Sequence, residues 1–384
     1  MAENRNPYNN QIMDSKTVAD IVRQFAIYGE FINASSFGGG HINDTFQSCW
    51  NQAGTAVRYT HQRINSRVFS RPDQVMENIL RVTRHITEKY QTAGVPDYSR
   101  RSLTVVPAKD GKPWVKDSEG ECWRTYLFIE NAHTKDKTAS PQEARFLGTS
   151  IGRFQKQLAD LPAPRLHDTI PDFHNMEKRY LRFYEALEKD VCGRAKQVTD
   201  EIDFMKQNEE RGAVLLRAQR EGRIPERITH NDTKINNILI DDADSSALCV
   251  IDLDTVMPGT SLFDVGDLIR TVTTTAEEDE RDISKIEFDA VFFESLLEGY
   301  LAEAVEFISK EETALIAESG RTITQIMALR FLTDYLEGDH YYHISRPEHN
   351  LDRSRNQIAL MRSMDSKWEK ALEIVQKLTG ENAG

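Results

Sequence analysis

Cysteine is too sparse in this chain to build a scaffold. There are four cysteines in 384 residues (Cys49, Cys122, Cys192 and Cys249), far apart and with no CxxC pair. That spacing excludes a disulfide framework and a cysteine zinc site, and it suits a reducing cytoplasm. Long apolar runs are missing too, with none approaching the ~18 residues of a membrane span. The opening MAENRNPYNNQIMD places no apolar core behind its charges, so no secretory signal is expected. Basic residues are outnumbered, 48 against 61 acidic, for a net charge of −13. This balance argues against a nucleic-acid partner or an anionic membrane. Gly38-Gly39-Gly40 lacks the GxGxxG spacing, which removes the dinucleotide fingerprint. What remains is a globular balance of 39% apolar and 28% charged residues, long enough for two domains or one large α/β unit.

The patterning changes character near Glu130. Before it, after a polar leader to about residue 18, an apolar repeat from Val18 to Phe31 predicts a short amphipathic helix. Strand signals follow: Ser36–Asn43 reads as a turn between two extended pieces and Ala56–Ile64 as a β-rich run, and then Pro72 opens a helix striped by Val75, Ile79, Val82 and Ile86. A meander is expected from Leu103 to Ile129, turning at Asp110-Gly111 and at Ser118–Gly120. After it, His133–Thr138 reads as a polar linker, and Ser140-Pro141-Gln142-Glu143 carries three helix-start signals at once. The rest is helical in pattern apart from a β island between Ile228 and Val256. The expected architecture is α+β: a β-rich N-lobe over residues 1–130, a hinge, and a helical C-lobe over 131–384.

The β island holds the chemistry. It reads Thr229-His230-Asn231-Asp232-Thr233-Lys234-Ile235-Asn236-Asn237, then two short apolar strands, Ile238–Asp241 and Leu248–Ile251, ending at Asp252. Paired as a hairpin, with strands roughly 5 Å apart, they bring Asn237 beside Asp252. One amide oxygen and one carboxylate suit Mg²⁺, which keeps waters and phosphate oxygens in its other positions. Asp232, five residues before Asn237, stands where it can take a proton from a substrate hydroxyl. The spacing His-x-Asp-x-x-x-x-Asn followed by Asp is the one protein kinases use.

With these residues in view, the chain resembles the aminoglycoside-phosphotransferase and choline-kinase superfamily. It is most similar to the bacterial N-acetylhexosamine 1-kinases. The resemblance rests on Gly40–Asn43, Thr229–Asp241, Ile251–Arg270 and Arg330–Gln357. It implies a protein-kinase-like bilobal fold with ATP in the cleft, and ATP- and Mg²⁺-dependent phosphorylation of the anomeric hydroxyl of GlcNAc or GalNAc. It makes Asp232 the catalytic base, Asn237 and Asp252 the metal ligands, and His41, Asn43, Arg330 and Tyr341 the sugar-binding residues. Gly39 and Gly40 would approach the phosphates, and Phe128 and Glu130 the adenine. A kinase of another small alcohol, such as an aminoglycoside or choline, and a catalytically silent nucleotide-binding regulator are the competing readings.

One departure stands out. Relatives carry a lysine on the third N-lobe strand for the ATP phosphates, but here that strand reads Tyr59-Thr60-His61-Gln62-Arg63-Ile64. Gln62 occupies the lysine's place, and Glu77 is the expected position of its acidic partner. Asp264 and Asp267 are expected to cap a helix and brace the catalytic loop. If the substrate were cationic, Asp334, Glu337 and Asp339 would form its pocket wall.

Overall fold

The computed structural model describes residues 15–38, 42–274 and 276–380. Gly39, Gly40 and His41 lie outside the described residues. The chain divides into two compact units, one running to Asn131 and including His167–Ile170, the other holding the remainder. No helix among the described residues is long and apolar enough to cross a membrane.

The first unit begins with helix α1 (Ser15–Val22), followed by strands β1 (Glu30–Ser36), β2 (Asp44–Gln52) and β3 (Thr55–Arg63). Helix α2 (Pro72–Thr92) precedes β4 (Val105–Val106), β5 (Val115–Lys116) and β6 (Cys122–Leu127). The expected helix to Phe31 ends at Val22. Phe25 instead bridges Ala108 as an isolated β contact, and Phe31 joins β1. The expected meander is also corrected. Short strands β4 and β5 do not pair with each other; both lie along one edge of β6, whose other edge carries β3. Side chains alternate between the faces of these strands. One face buries Phe46, Trp50, Tyr59 and Trp123 against Val18, Ile21 and Val22 of α1. Each fully buried side chain of this size stabilises the unit by roughly 1.5–3 kcal/mol. On the same face, His61 is hydrogen-bonded between Ser48 (2.6 Å) and Thr125 (2.7 Å), tying three strands together.

The second unit opens with β7 (Ala132–His133) and α3 (Pro141–Leu158), then α4 (Met176–Lys189), α5 (Thr199–Gly212) and α6 (Val214–Arg220). The linker reading misses β7, because two residues can pair through backbone alone without any apolar signal. Ala132 and His133 lie opposite Asp241 and Ile240 of β9 (Ile238–Asp241). Around β9 come β8 (Arg227–Thr229), β10 (Ala247–Val250) and β11 (Met257–Gly259). The remainder is helical: α7 (Ser261–Val272), α8 (Ala290–Ala304), α9 (Lys310–Ala314), α10 (Ile316–Glu337), α11 (His349–Ser366) and α12 (Trp368–Thr379).

The start of α3 is as the sequence predicts. Ser140 caps it by accepting the Glu143 N–H at 3.2 Å, and Ala144, Leu147, Ile151, Phe154 and Leu158 are buried. Helices α3 and α8 approach so closely that a Cβ at Gly148 would lie 2.1 Å from the Leu296 carbonyl oxygen. Helix α10, buried along nearly its whole length, packs against α4, α7 and α11. Gly266 allows the α7 contact, since a Cβ there would lie 2.6 Å from the Ser319 carbonyl oxygen. This close packing carries Asp264 toward the loop after β8.

Candidate active site

The loop between β8 and β9 is held from several sides. The hairpin forms as expected, with Val250 opposite Ile238 and the Ile251 N–H donating to the Asn237 carbonyl at 2.9 Å. Behind it, β8 pairs with β11, placing Thr229 opposite Met257. Asn231 adopts the left-handed conformation at φ 67°. Its side-chain amide donates to the Thr229 carbonyl at 3.2 Å and to the Thr255 carbonyl at 3.0 Å. His230 contributes through both ring nitrogens. Nε2 donates to the Ile251 carbonyl (2.8 Å), and Nδ1 accepts the Asp232 N–H (3.3 Å).

Asp264, buried on α7, accepts the N–H of Asn231 at 2.7 Å, that of His230 at 3.0 Å and the Gln155 amide at 2.9 Å. The expected bracing role therefore falls to Asp264. The cap of α7 belongs to Thr260, and Asp267 pairs with buried Arg270 at 2.9 Å. His174 completes the frame with a bond to the Asn231 carbonyl at 3.0 Å. Burial pushes its pKa down to about 3. Sequence reasoning did not find His174, because a single histidine between Phe173 and Asn175 carries no motif.

Asp232 retains 29% side-chain exposure and lies 3.4 Å from Lys234. Burial by itself would raise its pKa, but Lys234 first, then His230 and Arg270, hold the carboxyl below its ordinary value. The same pairing raises the Lys234 pKa. Lys234 was also missed, although it sits in the same loop only two residues beyond Asp232. Asn237 donates through Nδ2 to the Asp232 carbonyl (2.8 Å) and to its carboxylate (3.1 Å). With the nitrogen so placed, the Oδ1 end of the amide is the one that can serve as a metal ligand. Asp252, left-handed at φ 59°, follows directly on β10 and Ile251. No group of three or more His, Cys, Asp or Glu among the described residues is placed so that it could hold a metal ion. An amide oxygen and a carboxylate nonetheless fit a hard cation that takes its remaining ligands from water and phosphate.

A small pocket, partly open to solvent, lies between α4, α10 and the loop after α10. Arg179, Arg182, Arg330, Asp334, Glu337, Tyr341 and Tyr342 are among its lining residues. The Arg330 guanidinium lies 5.2 Å from the Phe173 ring centre and donates to the Tyr341 hydroxyl at 3.3 Å. Asp232 is among the charges that raise its pKa against burial. The acids here are already engaged. Asp334 accepts the N–H groups of His340, Tyr341 and Tyr342 at 2.7–2.9 Å and the Asn350 amide at 2.8 Å. Glu337 pairs with Arg182, and Asp339 with Arg194, each at 2.6 Å.

The predicted N-lobe residues fare differently. The Asn43 carboxamide oxygen accepts the Asn65 N–H at 2.9 Å, so it staples the chain just beyond β3 to the start of β2. Glu130 is drawn to Arg58 as an ion pair, and its carbonyl accepts from Arg100 at 3.1 Å. The Phe128 N–H donates to the Arg58 carbonyl at 3.1 Å. The backbone groups proposed for the adenine edge thus include two already bonded within the unit. Glu77 is corrected outright. It is 53% exposed and faces His167 at 3.0 Å, because it lies off the buried Val75–Ile79–Val82 stripe of α2. Gln62 does face a cation, the Arg124 guanidinium on β6, at 2.7 Å.

A family model for the phosphotransferase enzyme family matches residues 34–304. The chain belongs to that family. It is a small-molecule phosphotransferase with the kinase-like fold, its N-terminal antiparallel sheet followed by a largely helical unit. An aminoglycoside phosphotransferase from Alicyclobacillus acidocaldarius is similar at TM-score 0.57 and 12% identity, over 94% of this chain and 95% of that one. A spectinomycin phosphotransferase, solved with ADP and spectinomycin, is similar at TM-score 0.58 and 11% identity, over 92% and 99%. A microcompartment-associated aminopropanol kinase is similar at 0.52 and 13%, over 94% and 99%. These likenesses concern the fold of the phosphotransferase.

Proposed function

We propose that this phosphotransferase uses ATP and Mg²⁺ to phosphorylate the anomeric hydroxyl of an N-acetylhexosamine. The observation that carries this reading is the state of the acids in the Arg330 pocket. Asp334 is committed to three backbone N–H groups and Asn350, and Glu337 to Arg182; Asp339, outside the lining, is paired with Arg194. A polycationic aminoglycoside needs carboxylates to receive it, and here Asp334 and Glu337 are already bonded to the protein's own donors. Choline needs an aromatic cage without competing cations, whereas Arg179, Arg182 and Arg330 all line this pocket. Guanidinium and phenol groups instead suit hydroxyl and acetamide oxygens. The pocket therefore favours a neutral, oxygen-rich acceptor over the two cationic alternatives.

Asp232 is the group that accepts the proton of the acceptor hydroxyl. An anomeric hydroxyl is more acidic than a simple alcohol because the ring oxygen withdraws electron density, so a carboxylate suffices as its base. Asn237 holds Asp232 by two hydrogen bonds, and positioning of this kind supplies much of the rate. Asn237 and Asp252 would hold the metal, whose chemistry is to neutralise charge on the transferred phosphoryl group. Lys234, beside Asp232, adds a fixed positive charge to the same place.

The test is ADP release from ATP with N-acetylhexosamines, aminoglycosides and choline as acceptors. Turnover of the N-acetylhexosamines alone is the expected result, with Arg330→Ala and Tyr341→Ala raising the sugar KM but not the ATP KM. A better aminoglycoside substrate sinks the sugar reading. No turnover of any acceptor, with nucleotide bound, favours the silent regulator.

A further inference from the structure

The Arg330 pocket holds more positive charge than the protein itself answers. We propose that Arg179 and Arg330 form a subsite for an oxyanion carried by the acceptor, so that an N-acetylhexosamine bearing a carboxylate or phosphate group is taken in preference to the neutral sugar. This rests on the acceptor reading above, which ranks a neutral sugar over a cationic one, and it extends that ranking by one step.

Most of the lining charges are already matched. Arg182 is engaged by Glu337 through two hydrogen bonds, at 3.0 and 2.6 Å. Asp334, the other acid of the lining, is filled by three backbone N–H groups and the Asn350 amide. Asp232, whose charge reaches Arg330, has Lys234 at 3.4 Å. Arg179 and Arg330 are different, since neither pairs with a carboxylate among the described residues. Arg179 Nη2 donates to the Phe173 carbonyl at 2.7 Å. Arg330 donates to the Tyr341 hydroxyl at 3.3 Å, meets Met327 Sδ at 3.7 Å, and lies 5.2–5.5 Å from the ring centres of Phe173, Tyr341 and Tyr342.

Donors are unmatched as well. Arg179 Nε and the Tyr342 hydroxyl are buried without a hydrogen-bond partner among the described residues. Buried polar atoms nearly always have one, so two on the same small pocket mark a place for acceptor atoms the protein does not supply. Both arginines keep part of their surface exposed and line a pocket open to solvent, which lets a ligand reach them. Burial first, and then the charge of Arg330, lowers the Arg179 pKa to about 10. An anion beside the two guanidiniums relieves that repulsion.

Hydroxyl and acetamide oxygens can accept these hydrogen bonds but leave the charge unanswered. A carboxylate or phosphate does both, and its paired oxygens match the fork of a guanidinium. The pocket is small, with room for one substituent rather than a whole sugar. Phe173, whose carbonyl holds Arg179, precedes His174, and the His174 ring bonds the Asn231 carbonyl next to Asp232. These contacts tie the subsite to the loop of the proposed base, as an acceptor held at one end and reacting at the other requires.

Initial rates of the full chain with N-acetylglucosamine, its 6-phosphate and its C6 uronic acid test this. At least one anionic sugar should show a kcat/KM about 10–100-fold above that of the neutral sugar, the worth of a charge-assisted contact. Raising the salt concentration should narrow the margin. Arg179→Gln should remove most of it and Arg179→Lys, which keeps the charge, should retain part, whereas loss of a merely structural arginine would lower all three acceptors alike. The wild-type comparison decides the matter even if the variants fail to fold. Anionic sugars no better than the neutral one overturn the subsite, as does an anionic sugar that competes without being phosphorylated. Competition by inorganic phosphate with no preference among the sugars assigns the pocket to a free oxyanion, which overturns the acceptor assignment. Turnover of the neutral sugar alone leaves the sugar reading standing and removes only the subsite. No turnover of any N-acetylhexosamine, charged or neutral, removes both.

Discussion

The Asp264 carboxylate accepts the backbone N–H of Asn231 at 2.7 Å, across 33 residues of sequence, and the adjoining His230 N–H at 3.0 Å. A buried acid on α7 thereby sets the backbone immediately before Asp232. With Asn231 held left-handed at φ 67°, the loop's path depends on these bonds.

Asp264→Asn should therefore lower kcat by about 10–100-fold through misplacement of Asp232. It replaces one of two acceptor oxygens with a donor facing other donors, so the melting temperature should fall as well. Nucleotide affinity should stay near wild type. A variant with normal kcat would show that the loop holds its shape without α7.

Asp232→Asn keeps the bulk of the side chain and removes the proposed base. Turnover should drop by ~10²–10⁴ while ATP affinity is retained. Wild-type turnover would remove Asp232 from the mechanism.

Lys234 is the main charge holding the Asp232 pKa below its ordinary value. Wild-type kcat/KM should thus be independent of Asp232 protonation at neutral pH, failing only as pH drops below the ordinary carboxylate range. In Lys234→Met the burial remains without its compensation, so the acid limb should move to higher pH. An acid limb at the wild-type position would mean that the two side chains do not communicate.

Asp252→Ala should abolish the Mg²⁺ dependence of turnover together with most of the turnover itself, since it removes the carboxylate of the proposed ligand pair. Titration of Mg²⁺ against rate decides this. An unchanged Mg²⁺ response would assign the metal elsewhere.

Burial pushes the pKa of His61 and of His174 down to about 3. The unfolded chain protonates histidine near ~6.5, so between these values it binds more protons than the native protein. Stability is then complete above the unfolded value and is lost as pH falls toward the native one, at up to about 1.4 kcal/mol per pH unit for each histidine. Melting temperatures from pH 7 to 4 should decline more steeply in the wild type than in His174→Gln. Parallel curves would show that His174 does not titrate on unfolding.

The features legible in the sequence are those made by neighbours along the chain. The β9–β10 hairpin, the Ser140 cap of α3 and the buried stripe of α2 all follow from short-range periodicity and turn chemistry. The same reasoning overextended α1 to Phe31, because an apolar spacing cannot tell a helix turn from a residue that leaves to join a sheet. It also passed over β7, whose pairing with β9 is carried by backbone alone.

The sequence by itself determined the presence and order of the proposed phosphoryl-transfer residues, since Asp232, Asn237 and Asp252 are set by one loop and one hairpin. Tertiary structure decided what surrounds them. Which acids of the Arg330 pocket still face a ligand depends on Arg182, Arg194, Asn350 and the backbone of residues 340–342. Which cation stands beside Gln62 depends on the register between strands separated by the whole of α2. Both are pairings between distant segments, fixed by packing and hydrogen-bond partners that no local pattern encodes.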